Sequence, residues 1–202
     1  NVLDNKPIDE NARKVVILIH GWTGMKSATL PANYNRYEDS QDAPELNYLY
    51  NILRSRLAGS DWKLVAYRWE EDASTGFIDF GGIGNTDLTG YSRATQAALN
   101  AREQGARLGS LLSSSASSAR FLHFIAHSAG SWLAREALRV SLERNPFLLV
   151  QLTLLDPFIP DALQGTGTGL STSLMSATAS LSGSDRITSL ENYYADDFPY
   201  SL

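Results

Sequence analysis

Short, predominantly apolar runs alternate along this chain with segments of helical periodicity. Each run is too short for a helix of ordinary length and too apolar for a strand with one face in water. Such runs are typical of strands that are buried on both faces, as in a parallel sheet. The four clearest runs are Lys14–Ile19 (KVVILI), Lys63–Tyr67 (KLVAY), Phe121–Ile125 (FLHFI) and Leu148–Leu155 (LLVQLTLL), and Ile187–Tyr194 is a plausible fifth.

The segments between these runs predict helices and loops. Leu46–Leu57 places four leucines on one helical face, and Tyr91–Leu112 carries a stripe of small residues suited to close packing on a sheet. Ala129–Arg144 is the third predicted helix. Residues 70–90 are polar and glycine-rich, which predicts a long loop of the kind that tends to be functional, and Ser113–Ser118 predicts a linker. Strands alternating with helices predict an α/β fold, with a mostly parallel sheet covered by helices on both faces.

The composition restricts the classes of function. The 202 residues suit one domain covering residues 1–202, and 43% hydrophobic residues supply a substantial core. The net charge is −5 and no basic stripe occurs, which argues against a nucleic-acid partner. No apolar run approaches the length of a membrane-spanning helix, so we expect no integral membrane segment. The absence of cysteine excludes disulfides and thiolate metal sites.

The first residue is Asn1 and not a methionine. A cleaved signal peptide is one explanation among several. We therefore expect a protein that is either secreted, as from a bacterium, or cytoplasmic, and we favour secretion. Nothing in the sequence indicates the oligomeric state.

The most informative motif joins the third predicted strand to the helix that follows it. Small residues flank Ser128 on both sides, at Ala126 and Gly130. A sharp turn of this kind forces its central residue into a strained conformation and leaves room only for small neighbours. The turn places the Ser128 oxygen at the carboxyl edge of the sheet and at a helix N-terminus, where negative charge is stabilised. The alternative is a plain strand-to-helix turn with Ser128 as N-cap.

This pentapeptide, AHSAG, resembles the nucleophile elbow of the α/β-hydrolases, with alanine in place of the first glycine. The segment Val15–Trp22 (VVILIHGW) resembles the oxyanion loop of the lipases in that superfamily. The resemblance implies that the backbone N–H groups of Trp22 and Ala129 stabilise an oxyanion. It gives His20 a role in shaping the loop and none in proton transfer.

A third motif, Leu154-Leu155-Asp156-Pro157, follows the fourth predicted strand. It resembles the Leu-Asp-Pro sequence of pancreatic-type lipases, which implies that Asp156 is the acid of a catalytic triad. Most α/β-hydrolases carry the acid after a later strand, and Asp196 is the alternative on that ground. Without the resemblance, each aspartate is equally consistent with a turn at the end of a strand.

The resemblance to lipase-like α/β-hydrolases implies a serine carboxylic-ester hydrolase, an esterase or lipase acting on a small-molecule or lipid ester. Ser128 forms an acyl-enzyme in that mechanism, which needs no metal and no organic cofactor. A weaker alternative is another serine acyl hydrolase or transferase that acts on a thioester, amide or polyester, since the motifs do not separate these substrates. Residues 158–184 combine Gly, Ser and Thr with scattered apolar side chains, which predicts either a flap over an acyl pocket or an ordinary insertion.

The sequence offers no histidine at the position where the catalytic base of the predicted triad is expected. The three histidines are His20, His123 and His127, and none follows Asp156, where the family pattern expects one. The sheet also looks incomplete at its C-terminal end. We therefore expect the native protein to be longer, and two further explanations are a histidine from another chain or a catalytically inactive binding protein on a hydrolase scaffold.

Overall fold

The structure is a computed structural model that describes residues 11–21, 44–69, 73, 86–158 and 185–193. Its elements alternate as the sequence predicts. In chain order they are β1 (Lys14–Ile19), α1 (Pro44–Leu57), β2 (Trp62–Tyr67), α2 (Thr86–Ser115), β3 (Phe121–His127), α3 (Gly130–Arg144), β4 (Leu149–Leu155) and β5 (Ile187–Tyr193).

The five strands form one sheet in the order β2-β1-β3-β4-β5, and every neighbouring pair is parallel. The prediction of an α/β fold with a parallel sheet is therefore confirmed. Because all strands run the same way, their carboxyl ends meet at one edge. At that edge Ile19 pairs with Tyr67 and Ala126, and His127 pairs with Leu155.

Helices cover the two faces of the sheet unequally in the described parts of the chain. One face packs against α2 and α3 and forms the larger core, whose strand residues include Ile17, Phe124 and Leu152. On the other face, α1 covers β1 and β2 through Leu46 and Tyr50. Full burial of the strand residues on the larger core contributes about 1.5–3 kcal/mol for each large apolar side chain.

The predicted bounds of α2 and of β3 are wrong. The helix α2 begins at Thr86, so the last five residues of the predicted loop 70–90 are helical, and it ends at Ser115, inside the predicted linker. Its first turn (TDLTG) is polar and therefore carries none of the apolar periodicity by which helices are predicted. Strand β3 also continues two residues further than predicted, to His127, and Ser128 therefore follows the strand directly.

Two glycines of α2 allow this helix to pack very closely against α3. A Cβ on Gly105 would lie 2.4 Å from the carbonyl oxygen of Leu133, and one on Gly109 would lie 2.7 Å from Cβ of Val140. The small-residue stripe predicts packing on the sheet, but its glycine, Gly105, lies against α3. This contact holds α3, and with it the turn at Ser128, firmly on the core.

No helix in the described ranges is long and apolar enough to cross a membrane.

Candidate active site

Ser128 lies in a strained turn between β3 and α3. Its φ is 50°, a left-handed conformation that L-residues other than Gly, Asn and Asp rarely adopt. The N-cap of α3 is Ala129, in a right-handed helical conformation and with no side-chain capping hydrogen bond. Ser128 is therefore not an ordinary N-cap, and the strain at this residue needs another explanation.

The backbone amides around Ser128 have different partners. The N–H of Ser128 donates to the carbonyl of Leu155 at 3.0 Å, and the N–H of Ser131 donates back to the carbonyl of Ser128 at 3.0 Å. Within the described ranges, the N–H of Ala129 has no backbone acceptor. An amide at the start of a helix, next to a serine hydroxyl, is the arrangement that stabilises an oxyanion.

The end of β1 packs directly against this turn. A Cβ on Gly21 would lie 2.8 Å from Cβ of Ser128 and 3.1 Å from Nδ1 of His127. A Cβ on Gly130 would lie 2.3 Å from the carbonyl oxygen of His20. Both positions therefore require glycine, because a side chain at either one would collide with the neighbouring segment. Their small size lets the predicted oxyanion loop and the predicted nucleophile lie side by side.

His20 holds the backbone at the end of β1 in place. It is 3% exposed, its Nδ1 donates to the carbonyl of Gly21 at 2.8 Å, and its Nε2 accepts from the backbone N–H of Trp69 at 3.4 Å. The indole of Trp69 stacks on the His20 ring, and its N–H donates to the His20 carbonyl at 2.8 Å. These contacts agree with the prediction that His20 shapes the loop.

Asp156 occupies the corresponding position on the neighbouring strand. It follows β4 directly, its φ is 45°, and its N–H donates to the carbonyl of Tyr193 on β5. Its side chain is exposed. The pairing of His127 with Leu155 places Ser128 and Asp156 side by side at the carboxyl edge, where neighbouring strands lie roughly 4.8 Å apart.

The segment after Asp156 is hydrogen-bonded to α3. The indole N–H of Trp132, on the first turn of α3, donates to the carbonyl of Phe158 at 2.8 Å. Trp132 is itself 3% exposed. The chain leaving β4 is therefore held from two sides, by β5 at Asp156 and by α3 at Phe158.

His123 belongs to a separate polar cluster farther from the carboxyl edge. Its Nε2 lies 2.8 Å from Oγ1 of Thr153, and the Thr153 hydroxyl donates to Glu191 on β5 at 3.1 Å. Burial lowers the pKa of His123 below its ordinary value, against the opposing effect of the Glu191 charge. His123 lies four residues before the end of β3, roughly 13 Å along the strand, so it is a structural residue and not part of the site at Ser128.

Several predicted features lie outside the described residues. These are the predicted oxyanion donor Trp22, the alternative acid Asp196, and the predicted flap 158–184 apart from Phe158. Within the described ranges, no group of three or more His, Cys, Asp and Glu side chains is arranged to hold a metal ion.

Sequence reasoning missed three residues at this site. The contact of Gly21 with Ser128 and the indole contacts of Trp69 and Trp132 all join segments that are far apart in the chain. A signal for one of them was present, since Trp132 is one helical turn after Ser128 and a buried indole N–H needs an acceptor.

The chain matches no protein-family model, and the search of curated proteins finds no relative.

Proposed function

We propose that this protein is a serine carboxylic-ester hydrolase, an esterase or lipase with the α/β-hydrolase fold and Ser128 as its nucleophile. The observation that carries the proposal is the φ of 50° at Ser128, in a turn that joins a central parallel strand to a buried helix. Backbone strain of about 1–3 kcal/mol persists only where the surrounding structure enforces it, and it clusters at functional sites. The fit of Gly21 and Gly130 around the turn supplies that enforcement.

In the proposed mechanism, acyl transfer proceeds in two stages. The Ser128 oxygen attacks the ester carbonyl while a base takes its proton, and the carbonyl oxygen becomes an oxyanion. The N–H of Ala129 stabilises this oxyanion, and the resemblance to lipases implies the N–H of Trp22 as the second donor. Collapse of this intermediate expels the alcohol, which receives the proton from the base, and leaves an acyl-serine. Water, activated by the same base, then attacks the acyl-serine and releases the carboxylic acid. Asp156 orients the base, with Asp196 as the alternative acid.

The proposal assigns the base to a histidine other than His20, His123 and His127. His20 has both ring nitrogens engaged, and Nε2 of His123 is bound to Thr153 within the strand. His127 is the alternative within the chain, because its Nδ1 lies near Gly21 and the Ser128 turn.

The decisive test is Ser128→Ala in the full-length native protein, assayed with p-nitrophenyl esters and with a fluorophosphonate probe. We expect loss of turnover by at least about a thousandfold and no labelling, because the residual rate comes only from binding and oxyanion contacts. Ser131→Ala is the matched control, since this buried serine lies in the first turn of α3 and its hydroxyl has no partner within the described residues. It is expected to keep full activity.

The second candidate is a binding protein on the same scaffold, and the placement of the three histidines favours it. If the wild-type full-length protein neither turns over esters nor reacts with fluorophosphonate at Ser128, the binding protein replaces the hydrolase. Turnover that survives Ser128→Ala within threefold contradicts Ser128 as nucleophile. A complete loss in His127→Ala, at unchanged folding, would instead assign the base to His127.

A further inference from the structure

The two loops that flank Ser128 are held by buried tryptophans in the same way. Trp69 donates its indole N–H to the His20 carbonyl on the oxyanion side, and Trp132 donates its indole N–H to the Phe158 carbonyl on the acid side, both at 2.8 Å. Both side chains are almost completely buried, at 0% and 3% exposure. A buried hydrogen bond between a rigid ring and a backbone carbonyl fixes the position of that carbonyl.

The bond from Trp132 is the more informative of the two because of what it connects. Trp132 lies on α3, four residues after Ser128, and Phe158 lies two residues after Asp156. Pro157, which lies between Asp156 and Phe158, is buried, and its ring nearly fixes φ. The backbone that connects Asp156 to Phe158 therefore has little conformational freedom. The indole therefore sets the distance between the nucleophile helix and the loop that carries the acid.

We propose that Trp132 is a positioning residue that fixes the carboxylate of Asp156 relative to Ser128 through its hydrogen bond to Phe158. This role rests on the proposed function. Asp156 is exposed, so its own packing restrains it little, and its place depends on the backbone on either side. On one side the Asp156 N–H is bound to Tyr193, and on the other side Trp132 is the anchor.

The expected effect of a loosened Asp156 on the kinetics follows from its proposed role in orienting the base. Asp156 acts on the base and not on the substrate, so a loosened acid loop lowers kcat and leaves KM nearly unchanged. A misplaced acid also stabilises the protonated base less, which moves the acid limb of the kcat/KM profile to lower pH. A tryptophan that served only global stability would move neither quantity.

Trp132→Phe in the full-length protein removes the N–H and keeps an aromatic ring. Replacement of Trp132 by β-(3-benzothienyl)alanine removes only the N–H and preserves the shape of the indole, so it serves if the phenylalanine variant folds poorly. Trp62→Phe is the matched control. It lies at the opposite end of the sheet, where its ring meets Phe121 edge-on at 5.3 Å.

The first measurement is amide hydrogen exchange, which does not depend on activity. We expect exchange in residues 155–158 to rise at least about tenfold in the Trp132 variants, with α3 and β4 otherwise unchanged, and to stay at the wild-type rate in Trp62→Phe. Unchanged exchange in residues 155–158 overturns the anchor and with it the proposal.

The second measurement is the steady-state profile of ester hydrolysis. We expect kcat about tenfold lower, KM within twofold, and the acid limb displaced to lower pH in the Trp132 variants alone. If Ser128-dependent turnover exists and the Trp132 variants match wild type, the positioning role is wrong while the proposed function stands. If no Ser128-dependent turnover exists, the proposed function fails and the role in catalysis fails with it, while the exchange data still decide whether the anchor exists.

Discussion

Ser128 and Asp156 leave neighbouring parallel strands at the same level of the sheet, and both have positive φ, at 50° and 45°. They are the only residues other than glycine with positive φ in the parts of the chain that the structure describes. The N–H of Ser128 is bound to the carbonyl of Leu155, the residue before Asp156. The turns at Ser128 and Asp156 are thus coupled through one hydrogen bond, and both residues belong to motifs that the sequence singles out.

The strain at Ser128 predicts that glycine is more stable than alanine at this position, the reverse of the order expected in a helix. Ser128→Gly should be more stable than Ser128→Ala by about 1 kcal/mol, because a φ of 50° costs a residue with a Cβ about 1–2 kcal/mol. At Ser131, in the first turn of α3, the order should be opposite, with glycine less stable than alanine by up to about 1 kcal/mol. Urea denaturation of the four variants measures both differences. The same order at both positions would contradict the strain at Ser128.

Contact at Gly21 predicts a loss of function on adding one methyl group. Gly21→Ala places a Cβ 2.8 Å from Cβ of Ser128, so either the end of β1 or the turn must move. We expect ester turnover and fluorophosphonate labelling of Ser128 to fall at least about tenfold, which corresponds to about 1.4 kcal/mol of transition-state stabilisation.

The control for this change is Gly59→Ala. Gly59 has a φ of 78° and no neighbour within 4 Å of an added Cβ, so alanine there costs about 1–2 kcal/mol of stability by strain alone. Turnover should stay at the wild-type level. Equal losses of turnover in the two variants would mean that lowered stability, and not contact with Ser128, explains the result.

Burial of His123 predicts a stability that falls on mild acidification. Its pKa is lowered from 6.5 in the folded protein by burial, partly offset by the Glu191 carboxylate. The unfolded chain therefore binds the proton more readily, and stability is lost as the pH falls below about 6.5. In His123→Gln this part of the pH dependence should disappear, while stability at pH 8 changes little if glutamine keeps the hydrogen bond to Thr153.

A comparison variant tests the sign of the Glu191 contribution. Glu191→Gln removes the charge that raises the pKa of His123, so it should make the loss between pH 7.5 and 5.5 larger than in wild type. Denaturant midpoints at these two pH values are the measurement. A wild-type protein that becomes more stable on acidification in this range would show that His123 gains a proton on folding, contrary to the expectation.

Much of the fold is determined by local sequence patterns. The run at Lys14–Ile19 predicts β1 with its observed bounds, and the alternation of apolar runs with helical periodicity predicts a parallel sheet. The small residues around Ser128 predict a tight turn, and the turn is present with the strain it requires. These features were predictable because side-chain periodicity and backbone sterics act over only a few residues.

The start of α2 could not be predicted in the same way. Its first turn, beginning at Thr86, has no apolar face, so periodicity could not separate it from the loop before it. The functional assignment has a similar limit, since the motifs name a nucleophile and an acid but leave Asp156 and Asp196 as alternatives.

Only the tertiary structure decided which distant segments meet at Ser128. The strand order places β1 beside β3, which brings Gly21 against Ser128, and the crossing of α3 over β4 brings Trp132 to Phe158. Each of these contacts joins residues 26 or more positions apart, and no local periodicity carries information about them. They form because burying both faces of the sheet fixes the register of every strand at once, and the register sets which backbone groups face each other at the carboxyl edge.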